Sequence, residues 1–268
     1  MKRRLVFTAV FNGYDKVYPP VVAEDGVDYV IITDDAATTA PGWRTVTVDT
    51  ARFATAKAAN LYHRALIHRV LPGYDASLYV DGNIRLLGPS RALFDALHDH
   101  GAAVMLHRHP LRDSVAEEAC DVLGKAKVKA ASLRNELAAY RRDGFPDDVG
   151  LGETGIILKN HNHPQLDRAM ELWWTLFEKY ATRDQLSFPY VIWKTGLDIL
   201  WISESFRDPN PYFAIYPHWR AKGVNQWYTH ISARSHDALK YFLILKLWHG
   251  QWLLRRKFRQ FFLKALRR

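Results

Sequence analysis

Short apolar runs, each closed by polar turn residues, set the strongest limit on what this chain can fold into. Leu5–Phe11 is continuous, rich in β-formers and stops at Asn12-Gly13-Tyr14-Asp15. Val27–Thr33 repeats the pattern and ends in Asp34-Asp35. Ser77–Val80 ends in Asp81-Gly82-Asn83, and Ala102–Leu106 in His107-Arg108-His109-Pro110. Apolar runs of this length without polar alternation read as strands buried on both faces. Trp43–Val48 alternates and predicts another strand, as does Gly155–Leu158. Helices are expected over Ala51–Leu71, Arg91–His100, the charge-rich Val115–Arg142 and Gln165–Tyr180, and over Asp184–Gly196 with an interruption near Pro189. Trp201–Tyr228 reads as aromatic loop, and Trp173-Trp174 as core. Alternating strands and helices predict an α/β fold with a mainly parallel sheet sandwiched by helices.

The net charge of +9 has a definite location. Residues 238–268 hold nine Lys and Arg and no Asp or Glu, which leaves 1–237 formally neutral. A nucleic-acid-binding body would carry a basic patch of its own, so no nucleic-acid partner is expected. The compositional boundary near Ser235 predicts a domain over 1–235 and a basic helical tail over 236–268. In that tail Ala238–Leu247 is almost wholly apolar and Gly250 interrupts. Leu254, Phe258, Phe261, Phe262 and Ala265 then share one helical face. A basic amphipathic helix with bulky aromatics suits an anionic membrane surface, where each nearby Lys or Arg adds about 1 kcal/mol. The alternative is a helix docked on the body or in a dimer. Met1-Lys2-Arg3-Arg4 precedes an apolar run too short for a signal sequence, and no uncharged apolar stretch of about 18 residues predicts a membrane span. The single cysteine, Cys120, excludes an internal disulfide framework and a Cys-rich zinc site.

Ligands of parallel α/β sheets bind outside the carboxyl ends of the strands. Four strands here end in polar groups, on one expected sheet edge. No G-x-G-x-x-G follows the first strand and no G-x-x-x-x-G-K-[ST] occurs, so a dinucleotide fingerprint and a P-loop are excluded. Asp81-Gly82-Asn83 carries two readings. Asp81 could give a carboxylate and Asn83 a carbonyl to a hard divalent cation that also takes substrate phosphate oxygens. Asp-Gly is equally a hairpin turn signal. Glu153 precedes a strand, and Asp184 opens a helix, where an acid is stabilised by the dipole or simply acts as a cap.

Tyr79-Val80-Asp81-Gly82-Asn83-Ile84 resembles the D-x-D element of GT-A-type nucleotide-sugar glycosyltransferases. With Phe7–Asp15 (FTAVFNGYD), Asp28–Asp35 (DYVIITDD), Gly42-Trp43, Ala51-Arg52 with Lys57, and Arg183–Phe188 (RDQLSF), residues 4–220 resemble one glycosyltransferase-like family. That family is shared by bacterial polysaccharide-locus proteins and plant mucilage and alkaline-ceramidase-labelled proteins, and was long a domain of unknown function. The resemblance implies a GT-A-like (Rossmann-like) sheet and transfer of a sugar from a nucleotide-sugar donor, a UDP-sugar in the first instance. The acceptor implied is a glycan or glycolipid of cell-surface polysaccharide or lipopolysaccharide synthesis, on the cytoplasmic face of the cell membrane. By position, Thr8, Asn12, Gly13 and Tyr14 would wrap the nucleotide, Asp34 would meet the base or ribose, and Lys57 would neutralise diphosphate charge. Asp81 and Asn83 would hold Mn²⁺ or Mg²⁺, although Asn83 departs from strict D-x-D. A late His, His218 or His230, would be the third ligand. Asp184 and Glu153 are the candidate catalytic acids. His107, His109, Arg112 and Gln185 are candidates for sugar or acceptor. The rival from another class is a non-catalytic nucleotide- or sugar-binding protein with a degenerate D-x-D site. A lipid hydrolase finds no G-x-S-x-G here, and Ser187 has no nucleophile context.

Overall fold

Arg4–Val10 (β1), Val27–Thr33 (β2), Arg44–Thr47 (β3) and Ala76–Val80 (β4) run parallel to one another. Gly152–Asn160 (β7) lies antiparallel between β4 and Val104–Arg108 (β6), and Ile199–Ile202 (β8) adds parallel to β6. The sheet order is β3-β2-β1-β4-β7-β6-β8. Seen in the computed structural model, which describes residues 3–125, 128–207, 210–219, 227, 231, 235, 238–248, 250, 251 and 254, this sheet is the mainly parallel α/β sheet the strand pattern predicts.

The uninterrupted apolar runs follow from burial on both faces. Leu5, Phe7 and Ala9 of β1 enter one core with Leu61 and Ala65 of α1 (Ala56–Ala65), Trp173 of α6 (Leu166–Tyr180), and Phe188 and Val191 of α7 (Asp184–Thr195). Val6, next in line, enters the opposite core with Leu78 of β4 and with Phe94 and Leu97 of α3 (Arg91–His100). Each such side chain contributes about 1.5–3 kcal/mol by burial, so neither face can be given up. A small second sheet pairs Ile84–Leu86 (β5) antiparallel with Phe213–Ile215 (β9) and closes the second core.

Several element boundaries differ from expectation, each for a local reason. α1 begins only at Ala56, because Thr55 is its extended N-cap and accepts from the Ala58 amide at 3.1 Å. It ends at Leu66, whose φ of −101° and ψ of 26° set off a short helix, α2 (Ile67–Val70). The stretch expected as one long helix is two, α4 (Val115–Gly124) and α5 (Ala130–Arg142). Gly124, the costliest common helix residue apart from proline, closes the first, and extended Lys129 opens the second. α7, conversely, runs unbroken through Pro189, which forfeits only the bond to the Gln185 carbonyl. β9 and the second half of β8 occupy sequence expected as loop. Asp81-Gly82-Asn83 is a tight turn, with the Ile84 amide on the Asp81 carbonyl at 2.8 Å, but not a hairpin, since β4 and β5 belong to different sheets.

Residues 239–248 of the tail are helical, and Leu239, Phe242, Leu243, Ile244 and Leu247 are exposed on it, as is Leu254 beyond. Phe258, Phe261, Phe262, Ala265 and His230 lie outside the described residues. Among the described residues no helix is long and apolar enough to cross a membrane.

Candidate functional site

The carboxyl ends of β1 and β4 and the amino end of the antiparallel β7 open on the same sheet edge. A cavity of ≈ 390 Å³ lies there. β1 gives way to a turn in which Asn12 (φ 54°) and Gly13 (φ 55°) are both left-handed, a conformation that Asn and Gly tolerate best. Asp34, at the end of β2, fixes that turn by accepting the Asn12 amide at 3.0 and 3.1 Å. The turn returns the chain so that Asn12, Tyr14 and Asp15 reach the cavity.

Strand β4 delivers Tyr79 and Asp81 to the same wall, since side chains two apart share a strand face. The Tyr79 hydroxyl donates to Asp81 Oδ1 at 2.7 Å, and Asn60 of α1 donates to that hydroxyl at 3.2 Å. Burial pushes the Asp81 carboxyl up, and Arg64, the Tyr79 hydroxyl and His218 pull it back, with Asp184 adding to the rise. Between Asp81 and Asp15 sits Gly82, where an added Cβ would lie 2.7 Å from Val10 Cγ2 and 3.0 Å from Asp15 Cβ. Only glycine lets the turn after β4 approach β1 this closely. Asp15 is itself buried and accepts from His218 Nδ1 at 2.9 Å and from the Trp219 amide at 3.1 Å.

The opposite wall is made of ion pairs. Asp184, first residue of α7, receives Arg64 Nη2 at 2.7 Å and the Thr154 hydroxyl at 2.5 Å. Burial alone would raise its pKa. Arg64, Arg183, the Thr154 hydroxyl and Lys57 outweigh burial and hold the carboxyl well below the usual carboxylate range. Glu153 of β7, 1% exposed, accepts from Arg207 Nε and from Ser205 Oγ at 3.0 Å. Lys57 places its ammonium on the Thr182 carbonyl, and desolvation pushes that ammonium down.

Of the residues expected at a site, Asn12, Tyr14, Lys57, Asp81, Glu153, Asp184, Gln185 and His218 line this one cavity. Thr8 and Gly13 do not line it; Thr8 is buried within β1 and Gly13 shapes the turn. Asp34 stands behind the turn rather than in the cavity. Asn83 is also withdrawn from it. Its side-chain amide donates to the Tyr216 carbonyl at 2.5 Å, and its own carbonyl receives the Tyr216 amide at 2.8 Å, which locks β5 to the approach of β9. Asn83→Ala is therefore expected to lower stability by about 1 kcal/mol, the net worth of a buried hydrogen bond, while nucleotide affinity stays near that of wild type. Thermal unfolding and calorimetry on one preparation check both halves.

The His107, His109 and Arg112 group lies off the cavity lining. His107 bonds the Glu204 carbonyl at 2.7 Å and packs edge-on against Phe206. His109 accepts the Leu111 and Arg112 amides, and burial together with neighbouring Arg112 and Arg207 pushes it down to about 3, so it is neutral. Arg112 pairs with the fully buried Glu118 at 2.6 Å, and Glu118 faces Arg183 at 3.6 Å. Arg183 in turn donates to Gln185 at 2.8 Å. These residues brace the cavity wall from behind. Asn60, Arg64, Arg183 and Arg207 are lining residues the sequence reading did not assign. Lys57, Asn60 and Arg64 follow helical spacing, so a polar stripe on α1 was the available signal.

A divalent ion, the cofactor implied by the resemblance, would find Asp81 here, a cavity carboxylate whose neighbourhood favours a compensating charge. Asn83 is not placed to join it, and among the described residues no three His, Cys, Asp or Glu side chains are grouped to hold a metal. The fit therefore rests on Asp81, with phosphate oxygens and water completing a hard ion's shell.

Fold and cavity together define an α/β protein with an ion-paired cavity outside its strand ends. The chain belongs to the TOD1/MUCI70, glycosyltransferase-like domain family, whose sequence model matches residues 2–211. It is 25% identical over 230 residues to the Arabidopsis thaliana protein named "Probable hexosyltransferase MUCI70", covering 76% of this chain and 39% of that one. The chain thus spans well under half the length of that relative. Among solved structures it is similar to mouse xyloside xylosyltransferase 1 (12% identity, TM-score 0.43, 74% of this chain and 84% of that one). It is also similar to the galactosyltransferase LgtC (11% identity, TM-score 0.43, 74% and 72%).

Proposed function

We propose that this domain transfers a sugar, a hexose in the first instance, from a UDP-linked donor to a glycan or lipid-linked glycan of cell-surface polysaccharide or lipopolysaccharide synthesis. The observation that carries the proposal is the juxtaposition of Asp81, Lys57 and the Arg64–Asp184 pair in one cavity at the strand ends. Family membership and the name of the plant relative agree with it.

In the reaction the bond between the anomeric carbon and the diphosphate breaks, a bond to an acceptor hydroxyl oxygen forms, and the hydroxyl proton passes to an oxygen of the departing diphosphate. A bound Mn²⁺ or Mg²⁺ would supply charge neutralisation at the diphosphate, held by Asp81. Lys57 meets the same charge from α1, where a preformed cation counts most because the site is partly closed to water. Asp184 is held ionised by Arg64 and is consequently a weak proton acceptor. Its part is to accept hydroxyl hydrogen bonds from the sugar and to oppose positive charge at the anomeric carbon. Glu153, fixed by Arg207, and Gln185 extend that wall toward sugar or acceptor. Asn12 and Tyr14 border the nucleotide end. His218, tied to Asp15, stands at the rim.

The withdrawal of Asn83 favours a second reading, a nucleotide- or sugar-binding module without turnover. Incubation with a panel of UDP-sugars decides between them. Release of UDP that is lost in Asp184→Asn supports the transferase. Tight UDP binding with no turnover of any donor and acceptor supports the module.

The domain is further proposed to act at the inner face of the cell membrane, through the tail. Exposed leucines on the 239–248 helix lie within a segment that carries nine Lys and Arg and no acid. Sedimentation with phosphatidylserine-containing vesicles is expected for the full chain and lost on truncation after Ser235, whereas neutral vesicles should retain little of either. Equal sedimentation of both forms would remove the membrane assignment.

A further inference from the structure

Behind the cavity wall lies a fully buried carboxylate that the proposed reaction does not use. Glu136 of α5 is 0% exposed, and its named partners are two hydroxyls, Tyr140 at 2.6 Å and Thr182. A carboxylate buried against neutral groups is costly, so such a site calls for a compensating role or a nearby charge. Thr182, also buried, connects the two sides of the wall. Its hydroxyl donates to Glu136, and its carbonyl accepts the ammonium of Lys57, which lines the cavity. Ala181 just before it is left-handed at φ 50°, which turns the chain from α6 into this bridging position.

The other cavity cations are engaged by acids: Arg64 by Asp184, Arg183 by Glu118 and Arg207 by Glu153. Lys57 instead rests on a neutral carbonyl, a weaker seat for an ammonium than a phosphate oxygen. We propose that Glu136 is a positioning residue for Lys57, and that Glu136, Thr182 and Lys57 form a relay presenting one ammonium to a diphosphate in the cavity. The inference rests on reading that cavity as a diphosphate site. α5 thereby acquires a part in binding although it lines no portion of the cavity.

Charge separates this role from a structural one. The groups facing Lys57 are Asp184 and Arg183 at the start of α7, Arg64 on its own helix, Glu136 from α5, and the Phe177 ring of α6 at 5.2 Å. Desolvation lowers the Lys57 pKa, Arg183 and Arg64 lower it further, and Asp184 and Glu136 raise it. Anion binding through Lys57 is present below that pKa and fades as pH rises through it. Removing the Glu136 charge must therefore move the fade to lower pH.

The test titrates UDP and inorganic pyrophosphate, with Mn²⁺, into the full chain calorimetrically from pH 7 to pH 10. Lys57→Met should weaken both ligands about tenfold at pH 7. Glu136→Gln should weaken them and shift the loss of affinity to lower pH. Thr182→Val, which keeps the carbonyl and loses the hydroxyl, should act in the same direction. Lys57→Arg, whose charge persists across this range, should flatten the wild-type profile. Should Glu136→Gln fail to fold, Thr182→Val keeps the Glu136 link testable, and a pH profile identical to wild type there overturns the relay. Unchanged affinity in Lys57→Met, or identical pH profiles for wild type and Glu136→Gln, overturns the relay while leaving UDP binding and the transferase reading intact. Lys57-dependent binding of pyrophosphate without any of UDP sinks the donor reading and leaves the relay standing. Failure of both anions to bind wild type overturns both.

Discussion

Asp81→Ala is expected to abolish metal-supported UDP binding while leaving the chain folded. The two halves follow from the same environment. Asp81 is half-buried just beyond β4, where desolvation works against its charge, and its direct partner is the Tyr79 hydroxyl. Deleting the carboxylate removes a desolvated charge, and Tyr79 keeps Asn60 as a partner at 3.2 Å. No buried group is orphaned, so the stability change should stay within about 1 kcal/mol. Binding depends on Asp81 differently. With Asn83 turned toward Tyr216, the segment Asp81-Gly82-Asn83 offers the cavity no second side chain to share the role. Calorimetry with UDP and Mn²⁺ should show a loss of at least about a hundredfold, about 2.7 kcal/mol. The EDTA arm should show wild type and variant alike. An Asp81→Ala protein that binds UDP with Mn²⁺ as wild type does would place the metal, if any, elsewhere.

How far the sequence reveals this site depends on whether a residue acts within its own strand or across the fold. Asp81 and Asn12 were legible because a strand that runs out of apolar residues at a sheet edge must leave its next side chains near the ligand end. The same logic overreached at Asn83. One residue beyond Gly82 the chain has turned, and Asn83 belongs to the β5–β9 pairing, whose second strand lies 131 positions on by register with Ile215 opposite Ile84. His107 and His109 also lie at a strand end, His107 within β6 and His109 just past it. Yet β6 lies beyond β7 from β4, and its ends are covered by the 204–206 segment and by Arg112. Arg64 was invisible for the opposite reason. An arginine on a helix reads as solvated surface until Asp184, 120 residues later, is folded against it. The strands themselves were readable from burial on both faces, and the ones missed, β8 and β9, are four and three residues long.

Arg64→Met is expected to be the most destabilising single change in the cavity wall. The Arg64 side chain is 7% exposed and that of Asp184 12%. Arg64 reaches Asp184 at 2.7 Å and the Thr154 carbonyl at 3.1 Å, and its guanidinium lies over the Tyr79 and Trp173 rings. Methionine preserves much of the ring contact but strands a buried carboxylate and a carbonyl, a loss of about 3–5 kcal/mol. For a chain of this size, at about 2 °C per kcal/mol, that corresponds to about 6–10 °C in Tm. The pH dependence has a definite sign. In wild type the Asp184 carboxyl is held below its unfolded value. Its contribution is therefore present above the unfolded pKa and is lost as pH falls through the folded one. In Arg64→Met the strongest of the influences that hold the carboxyl down is gone, while Arg183, Thr154 and Lys57 remain, so acid protonates Asp184 in the variant first and relieves the stranded charge. The stability gap between wild type and variant should be widest near neutral pH and narrow toward about pH 4. Adding Asp184→Asn to Arg64→Met removes the charge by another route and should recover a large part of the loss. Equal melting temperatures for the single and double variants at pH 7 would show that the Arg64 ring contacts, and not its ion pair, hold this wall together.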